Sequence, residues 1–176
     1  MRYFEHRLRR IVASIGIGLV ATGCGTTPSS SVATETTIVS TASPAAQPSA
    51  NAAADLEQAR SALVSFFSAL QGGRYTEASM LFGGSFADLT GFNPMVPVDD
   101  QAQLLQNACT VNGFQCLEIQ NIVEANAVSP TEFAFVVEFQ NEDGSLFTQP
   151  TQSQWKYTVE KVGDQFLVQE LPVYLP

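Results

Sequence analysis

The sequence predicts an α+β fold for residues 55–176, with helices first and antiparallel strands afterwards. Near the start of this region, apolar residues recur at spacings of three and four, which is typical of an amphipathic helix. From Thr131 to Gln140, apolar and polar residues alternate, which is typical of a strand with one buried face. The region is long enough for one hydrophobic core and too short for two. We therefore expect a single domain.

Three helices are predicted before the spacing of apolar residues changes from that of a helix to that of a strand. The first begins at Asp55, a favourable N-cap residue, and stops at Gly72. Its apolar stripe comprises Leu56, Ala59, Leu63, Phe66, Phe67 and Leu70. A shorter second helix over residues 75–82 forms a hairpin with the first. After a loop rich in glycine, proline and phenylalanine, Asp99 caps a third helix that ends near Gly113.

The strands follow the third helix. Residues 114–128 alternate weakly and predict one strand or two. The clearer strand at 131–140 turns four side chains to one face: Phe133, Phe135, Val137 and Phe139. After a turn at 141–144, the next strand does the same with Trp155, Tyr157 and Val159. A turn at Gly163 leads to a last strand over 166–169, and Pro172 is expected to end regular pairing.

The N-terminal segment resembles a bacterial lipoprotein signal. Four arginines precede an apolar run that ends at Cys24. The run is roughly half the ~20 residues that a membrane-spanning helix needs, so we expect cleavage of residues 1–23. The resemblance implies that Cys24 is acylated and becomes the new N-terminus. An ordinary secretory signal with an incidental Cys24 is the alternative.

Residues 24–54 are expected to form a tether. They consist largely of Ala, Thr, Ser and Pro, they contain no aromatic residue, and Glu35 is their only charged residue. Such a composition cannot build a core, so the segment is predicted to be disordered. The domain would then lie outside the cytoplasm, anchored by lipid to the cell membrane or the outer membrane.

The charge of the domain excludes some partners. Between Asp55 and Glu170 the sequence contains four basic residues and fifteen carboxylates. A nucleic-acid role is disfavoured, since no basic patch is available to displace phosphate counterions. The same charge disfavours an anionic membrane surface, which leaves Cys24 as the expected membrane contact.

Two segments resemble the NTF2-like, cystatin-like superfamily. Residues 62–78, ALVSFFSALQGGRYTEA, are similar to its first helical hairpin, and residues 155–168, WKYTVEKVGDQFLV, are similar to its last strand pair. The resemblance implies a cone, in which a helical hairpin and a third helix pack into a bent antiparallel sheet. The superfamily includes isomerases, cyclases, dehydratases and non-catalytic modules, so fold alone does not choose a function.

The two cysteines of the domain are predicted to form a disulfide. Six residues separate Cys109 from Cys116, in a chain expected to enter an oxidising compartment. The alternative is a redox dithiol. That function favours a thiolate at a helix N-terminus, whereas Cys109 lies near the predicted C-terminal end of a helix, where the dipole disfavours thiolate.

Histidine is absent from the region that remains after the predicted cleavage, since His6 is the only one. Catalytic triads, histidine bases and histidine-containing zinc sites are therefore not expected, and neither is any other metal or cofactor. The remaining candidate base is Asp88, beside Phe82, Phe86 and Phe92. A carboxyl in an apolar pocket could serve an isomerase of the resembled superfamily, because burial raises its pKa.

A non-catalytic binding or accessory module of the cell envelope is the preferred function, and an enzyme of the isomerase, cyclase or dehydratase type is the alternative. A small apolar ligand or an envelope protein is the expected partner, with a homodimer through the exposed sheet face as a further hypothesis. Six aromatic residues are the candidates for lining a pocket: Phe67, Tyr75, Phe82, Phe86, Phe92 and Trp155.

Overall fold

The computed structural model describes residues 50–175, which fold as α+β, as predicted. Four helices are present in this range: α1 (Ala50–Gln71), α2 (Tyr75–Met80), α3 (Ala87–Phe92) and α4 (Gln101–Thr110). Six strands follow: β1 (Phe114–Gln115), β2 (Glu118–Ala127), β3 (Glu132–Gln140), β4 (Trp155–Val162), β5 (Gln165–Val168) and β6 (Val173–Tyr174). The predicted signal segment, Cys24 and tether residues 24–49 lie outside the described residues.

Helix α1 begins at Ala50, so residues 50–54 of the predicted tether are helical. Four of these five residues are alanine, the strongest helix former, which favours extension of the helix in this direction. Asp55 consequently lies inside the helix and does not cap it. Its two carboxylate oxygens each accept a hydrogen bond from Lys161 Nζ on β4, at 2.8 Å. The residue predicted to cap the helix therefore forms an ion pair that joins the helix to the sheet.

The core lies between α1 and the main sheet, in which the strand order is β2-β3-β4-β5 with antiparallel neighbours. Helix α1 contacts all four strands. Its stripe is buried as predicted, apart from a half-buried Leu56. Residues of β3 alternate between buried and half-buried, and the four side chains predicted to share a face are all in the core. The apolar stripe of α1 and the apolar face of β3 therefore face each other across one interior.

Strand β2 contains two irregularities in its pairing with β3. The register shifts between Ile119 and Asn121, and again between Ile122 and Glu124. Such bulges bend a strand and increase its twist. The predicted stretch 114–128 thus forms two strands, of which the longer bends against α1.

The second helix ends earlier than predicted, at Met80. The next residues pair with the edge of the sheet instead: Gly83 N donates to Val168 O at 2.9 Å, and Val168 N donates to Leu81 O at 2.8 Å. A Cβ added at Gly84 would collide with the carbonyl oxygen of Gln169. This close approach requires glycine, and the segment protects the exposed edge of β5.

The predicted loop before the third predicted helix contains a helix of its own, α3, which the sequence pattern did not indicate. Helix α4 is capped by Asp100 and not by Asp99, because the Asp100 carboxylate accepts a hydrogen bond from Gln103 N at 3.1 Å. The prediction of the helix itself is confirmed.

Regular pairing does not end at Pro172. Strand β6 follows it and pairs antiparallel with β1, Phe114 opposite Tyr174. Gly113 has a φ of 84°, and a Cβ there would lie 2.6 Å from Leu175 O. Glycine therefore permits the close approach of the two segments, which Leu175 N closes with a hydrogen bond of 3.1 Å to Gly113 O.

Candidate functional site

A groove of about 540 Å³ opens to solvent between α3 and the β1–β6 pair. Its wall comprises Ala87, Asp88, Gly91, Phe92, Phe114, Leu171 and Tyr174. Residues far apart in sequence form it, because the two-stranded sheet brings the C-terminal segment against the residues that follow α4. The volume falls within the roughly 300–1,000 Å³ of typical small-molecule sites.

Three aromatic rings, which we call the groove cluster, line this site: Phe92, Phe114 and Tyr174. The ring centroids of Phe92 and Tyr174 are 5.4 Å apart, and those of Phe114 and Tyr174 are 5.1 Å apart. Phe92 meets Phe114 edge to face at 6.1 Å. Phe114 is buried, whereas Phe92 is 47% exposed and Tyr174 is 41% exposed. The buried ring supports two rings that present apolar surface to solvent.

Helix α3 is held in place by an amide network centred on Asn93, the one buried polar residue among those described. Asn93 Nδ2 donates to Leu89 O at 2.8 Å and to Asn112 Oδ1 at 2.9 Å. Its Oδ1 accepts from Asn107 Nδ2, also at 2.9 Å. Because buried polar groups are costly to leave unpaired, this network fixes the C-terminal end of α3, and with it Phe92, against α4.

The disulfide between Cys109 and Cys116 holds the opposite wall. The two Cα atoms are 5.4 Å apart, and the pairing agrees with the sequence prediction. The loop that it closes contains Phe114, the buried ring of the groove cluster. The bond therefore restrains the end of α4 and the start of β1 at the point where the groove is built.

Asp88 lies in the first turn of α3, on the wall of the groove, and is exposed. No ion pair with Asp88 occurs among residues 50–175. The catalytic hypothesis requires a carboxyl desolvated by Phe82, Phe86 and Phe92. The structure separates these residues: Phe92 lines the groove beside Asp88, while Phe82 and Phe86 point into the core.

The remaining aromatic candidates do not line the groove. Phe67 and Trp155 belong, with Phe139 and Tyr157, to a buried group that we call the core cluster. Phe67 contacts both Phe139 and Tyr157 at centroid distances of 4.9 Å, and Trp155 lies 5.5 Å from Phe139. These rings fill the space between α1 and the sheet.

The other candidates also pack against this interior. Phe82 stacks on Phe66 at 5.7 Å and meets Phe86 edge to face at 5.0 Å. Tyr75 is half-buried against the core. Of the six predicted pocket residues, Phe92 alone lies on the groove wall.

Sequence reasoning missed five residues of the groove wall: Ala87, Gly91, Phe114, Leu171 and Tyr174. Phe114 and Tyr174 lie in two-residue strands, which are too short to show a periodic pattern. Only their pairing brings the two rings together. The signal that was available is modest: Phe114 is the first residue of the weakly alternating stretch 114–128, and Tyr174 follows Pro172, beyond the predicted end of the sheet.

Tyr157 is the described residue with the largest displacement of its pKa. Burial raises the pKa of its hydroxyl well above the usual value near 10, and the negative charge of Glu170 raises it further. The Glu170 carboxylate is held close by Thr158 N, which donates to it at 2.6 Å. A tyrosine hydroxyl is neutral at physiological pH even at its usual pKa, so the shift matters only in alkaline solution. The ring itself is buried against Phe67 and Phe139 as part of the core cluster.

The outer face of the main sheet is acidic. This face carries five glutamates: Glu118 and Glu124 on β2, Glu132 and Glu138 on β3, and Glu160 on β4. Hydrogen bonds from Gln154 and then Asn121 lower the pKa of Glu138, which favours its charged form. Two copies joined through this face would bring like charges together, so the surface charge opposes the homodimer hypothesis.

Within residues 50–175, no group of three or more His, Cys, Asp or Glu side chains is arranged to hold a metal ion. The helices in the same range lack the combination of length and apolar character needed to cross a membrane. Comparison of the chain with protein families, with curated proteins and with solved structures gives no match.

Proposed function

We propose that this chain is a lipid-anchored, extracytoplasmic binding or accessory module of the bacterial cell envelope, without catalytic activity. Cys24 carries the lipid, residues 25–49 link it to the domain, and the groove takes the ligand. One contrast carries the binding part of this proposal. The interior is filled by aromatic side chains, whereas the groove offers exposed aromatic surface.

The domain belongs, in this proposal, to the NTF2-like superfamily. The support is architectural: α1 and α2 pack together, α1 lies across four antiparallel strands, and one of these strands carries two bulges. Helix α4 adds the third helix of the resembled arrangement. The enzymatic alternative needs a carboxylate base that is desolvated by an apolar pocket, and the described residues contain no buried carboxylate.

The anchor is tested by expressing the full chain in a bacterial host and comparing it with Cys24→Ser. We expect the wild-type chain in the membrane fraction, with a mass that corresponds to cleavage before Cys24 and addition of acyl chains. The variant should lose the acyl mass. Cleavage elsewhere, with a free Cys24 thiol, would contradict the anchor and support an ordinary secretory signal.

The binding groove is tested by native mass spectrometry of the protein released gently from its host membrane. We expect an added mass of small-molecule size on the wild-type chain. Gly91→Gln should abolish it, because a Cβ at Gly91 meets no atom within 4 Å and the longer side chain would occupy the groove. Met95→Gln is the matched control, since Met95 is 92% exposed and is not a groove residue.

A ligand-free wild-type chain, or an added mass that Gly91→Gln retains, would contradict binding in the groove. Turnover of the bound molecule that Asp88→Asn abolishes would instead favour the enzymatic alternative. The two outcomes are separable because the first measures occupancy and the second measures chemical change.

A further inference from the structure

We propose that the groove binds a small organic cation, a quaternary or otherwise alkylated ammonium group, against the rings of Phe92 and Tyr174 and beside the carboxylate of Asp88. The inference rests on the proposed function, since it names the ligand class of the same groove. Three observations support it: the arrangement of the rings, the charge of the wall, and the absence of a basic side chain in the groove.

The groove cluster presents a continuous aromatic surface. Phe92 and Tyr174 are inclined by 33°, and Tyr174 and Phe114 by 47°, so adjoining rings form a bent wall. The face of an aromatic ring is negative, and a cation within about 6 Å of its centroid is attracted to it. Because Phe92 and Tyr174 are 47% and 41% exposed, a ligand can reach their surface without displacing core residues.

The groove wall carries one charged side chain, the carboxylate of Asp88. It lies in the same wall as the three rings, so a bound cation would have an opposite charge and an aromatic surface on adjoining sides. An anionic ligand would meet this carboxylate with no basic group to offset it. A neutral apolar ligand would use the rings and leave the carboxylate without a role.

Basic side chains of the domain do not occupy the groove. Arg60 pairs with Glu57 on α1, and Arg74 pairs with Glu77 at the start of α2. Lys161 pairs with Asp55 between α1 and β4. The fourth basic residue in residues 50–175, Lys156, projects from the outer face of the sheet. With four basic residues against fifteen carboxylates, the domain also attracts cations at long range.

Alkylated ammonium fits this site better than a bare ammonium or a metal ion. Compact ammonium ions are strongly hydrated, and an open aromatic wall replaces few of their water contacts. Methyl groups on nitrogen spread the charge over an apolar surface that packs on rings, which is the recognised use of aromatic cages. The groove volume of about 540 Å³ accommodates a ligand of this size.

The test compares choline with 3,3-dimethyl-1-butanol, which has the same shape and no charge. Binding to the full-length ¹⁵N-labelled chain is measured by chemical-shift titration. We expect choline to bind in the millimolar range, about tenfold more tightly than the alcohol. Shifts should centre on the residues that line the groove.

Variants assign the preference to the groove. Asp88→Asn should weaken choline about threefold to tenfold and leave the alcohol unchanged, while Phe92→Leu should also reduce the preference for choline because it keeps an apolar side chain and removes the ring. Asp164→Asn is the matched control: Asp164 is exposed in the β4–β5 turn, outside the groove wall, and its loss should leave both affinities unchanged.

Equal binding of choline and the alcohol would overturn the cation inference. Loss of that binding in Gly91→Gln would still support a binding groove. Equal losses in Asp88→Asn and Asp164→Asn would also overturn it, since net charge would then explain the preference. Failure of both probes to bind overturns it as well, while the host-derived mass decides separately whether the groove has another ligand.

Discussion

The core cluster and the groove cluster use the same kind of side chain in opposite ways. In the core cluster, Phe67 is fully buried and contacts rings from two strands. In the groove cluster, Phe92 contacts two rings and yet remains 47% exposed. The difference shows that ring contact alone does not indicate a core. What separates the clusters is whether a second layer of structure covers them.

The largest difference between the clusters should appear in stability. Phe67→Ala is expected to lower the free energy of unfolding by about 3–5 kcal/mol, because it removes a fully buried ring and leaves a cavity. Phe92→Ala, the matched control, should cost less than about 1 kcal/mol because much of its ring already contacts water. Urea unfolding of both variants measures this. Equal losses would mean that the groove cluster is part of the core.

Removal of the disulfide should affect the domain next most strongly. Cys109→Ser combined with Cys116→Ser is expected to lower the free energy of unfolding by about 2–3 kcal/mol, since the short loop gains freedom in the unfolded chain. The NMR resonances of the groove residues should broaden more than those of the core-cluster residues. Chemical reduction of the wild-type chain is the control, and an unchanged unfolding midpoint in both cases would contradict the prediction.

Asn93→Ala tests what positions the exposed cluster. The variant loses the hydrogen bonds to Leu89, Asn107 and Asn112, and we expect a loss of about 1–3 kcal/mol because buried partners are left unpaired. Asn121→Ala is the control, since its amide bonds only an exposed carboxylate. A loss confined to about 0.5 kcal/mol in both variants would show that the network does not hold α3.

The smallest effect is a pH dependence of the core cluster. Burial, and then the charge of Glu170, raise the pKa of Tyr157 in the folded protein above its usual value near 10. The unfolded chain therefore releases this proton first, and stability is lost as the pH rises above that value. The loss is about 1.4 kcal/mol per pH unit until the folded-state pKa is reached.

Tyr157→Phe should remove this contribution, whereas Tyr75→Phe, at a half-buried position outside the core cluster, should retain it. Urea unfolding at several pH values between about 9 and 11 compares the three proteins. A wild-type slope identical to that of Tyr157→Phe would contradict the prediction.

Much of the fold was predictable because periodic burial leaves a periodic pattern. The stripe of α1 and the alternation of β3 both identified residues that are buried in the structure. Helix α3 and strand β6 were missed because each is too short for a period to be visible. The Lys161–Asp55 ion pair was missed because it joins residues 106 positions apart.

The candidate site was predicted less completely than the fold. Phe92 and Asp88 do lie on the groove wall, but the rings expected beside them, Phe82 and Phe86, point into the core. Both pairs occur in one short segment, and its sequence does not show which way each ring turns. Packing against Phe66 decides this for Phe82.

The sequence by itself determined the fold class, the main core faces, the acidic charge and the pair of cysteines, because local spacing and composition encode them. It also carries the predicted anchor at Cys24. Only the tertiary structure decided which aromatic rings are covered and which remain exposed. The physical reason is that exposure depends on contacts between distant segments: the pairing of β1 with β6 brings Phe114 to Tyr174, and α3 places Phe92 and Asp88 beside them.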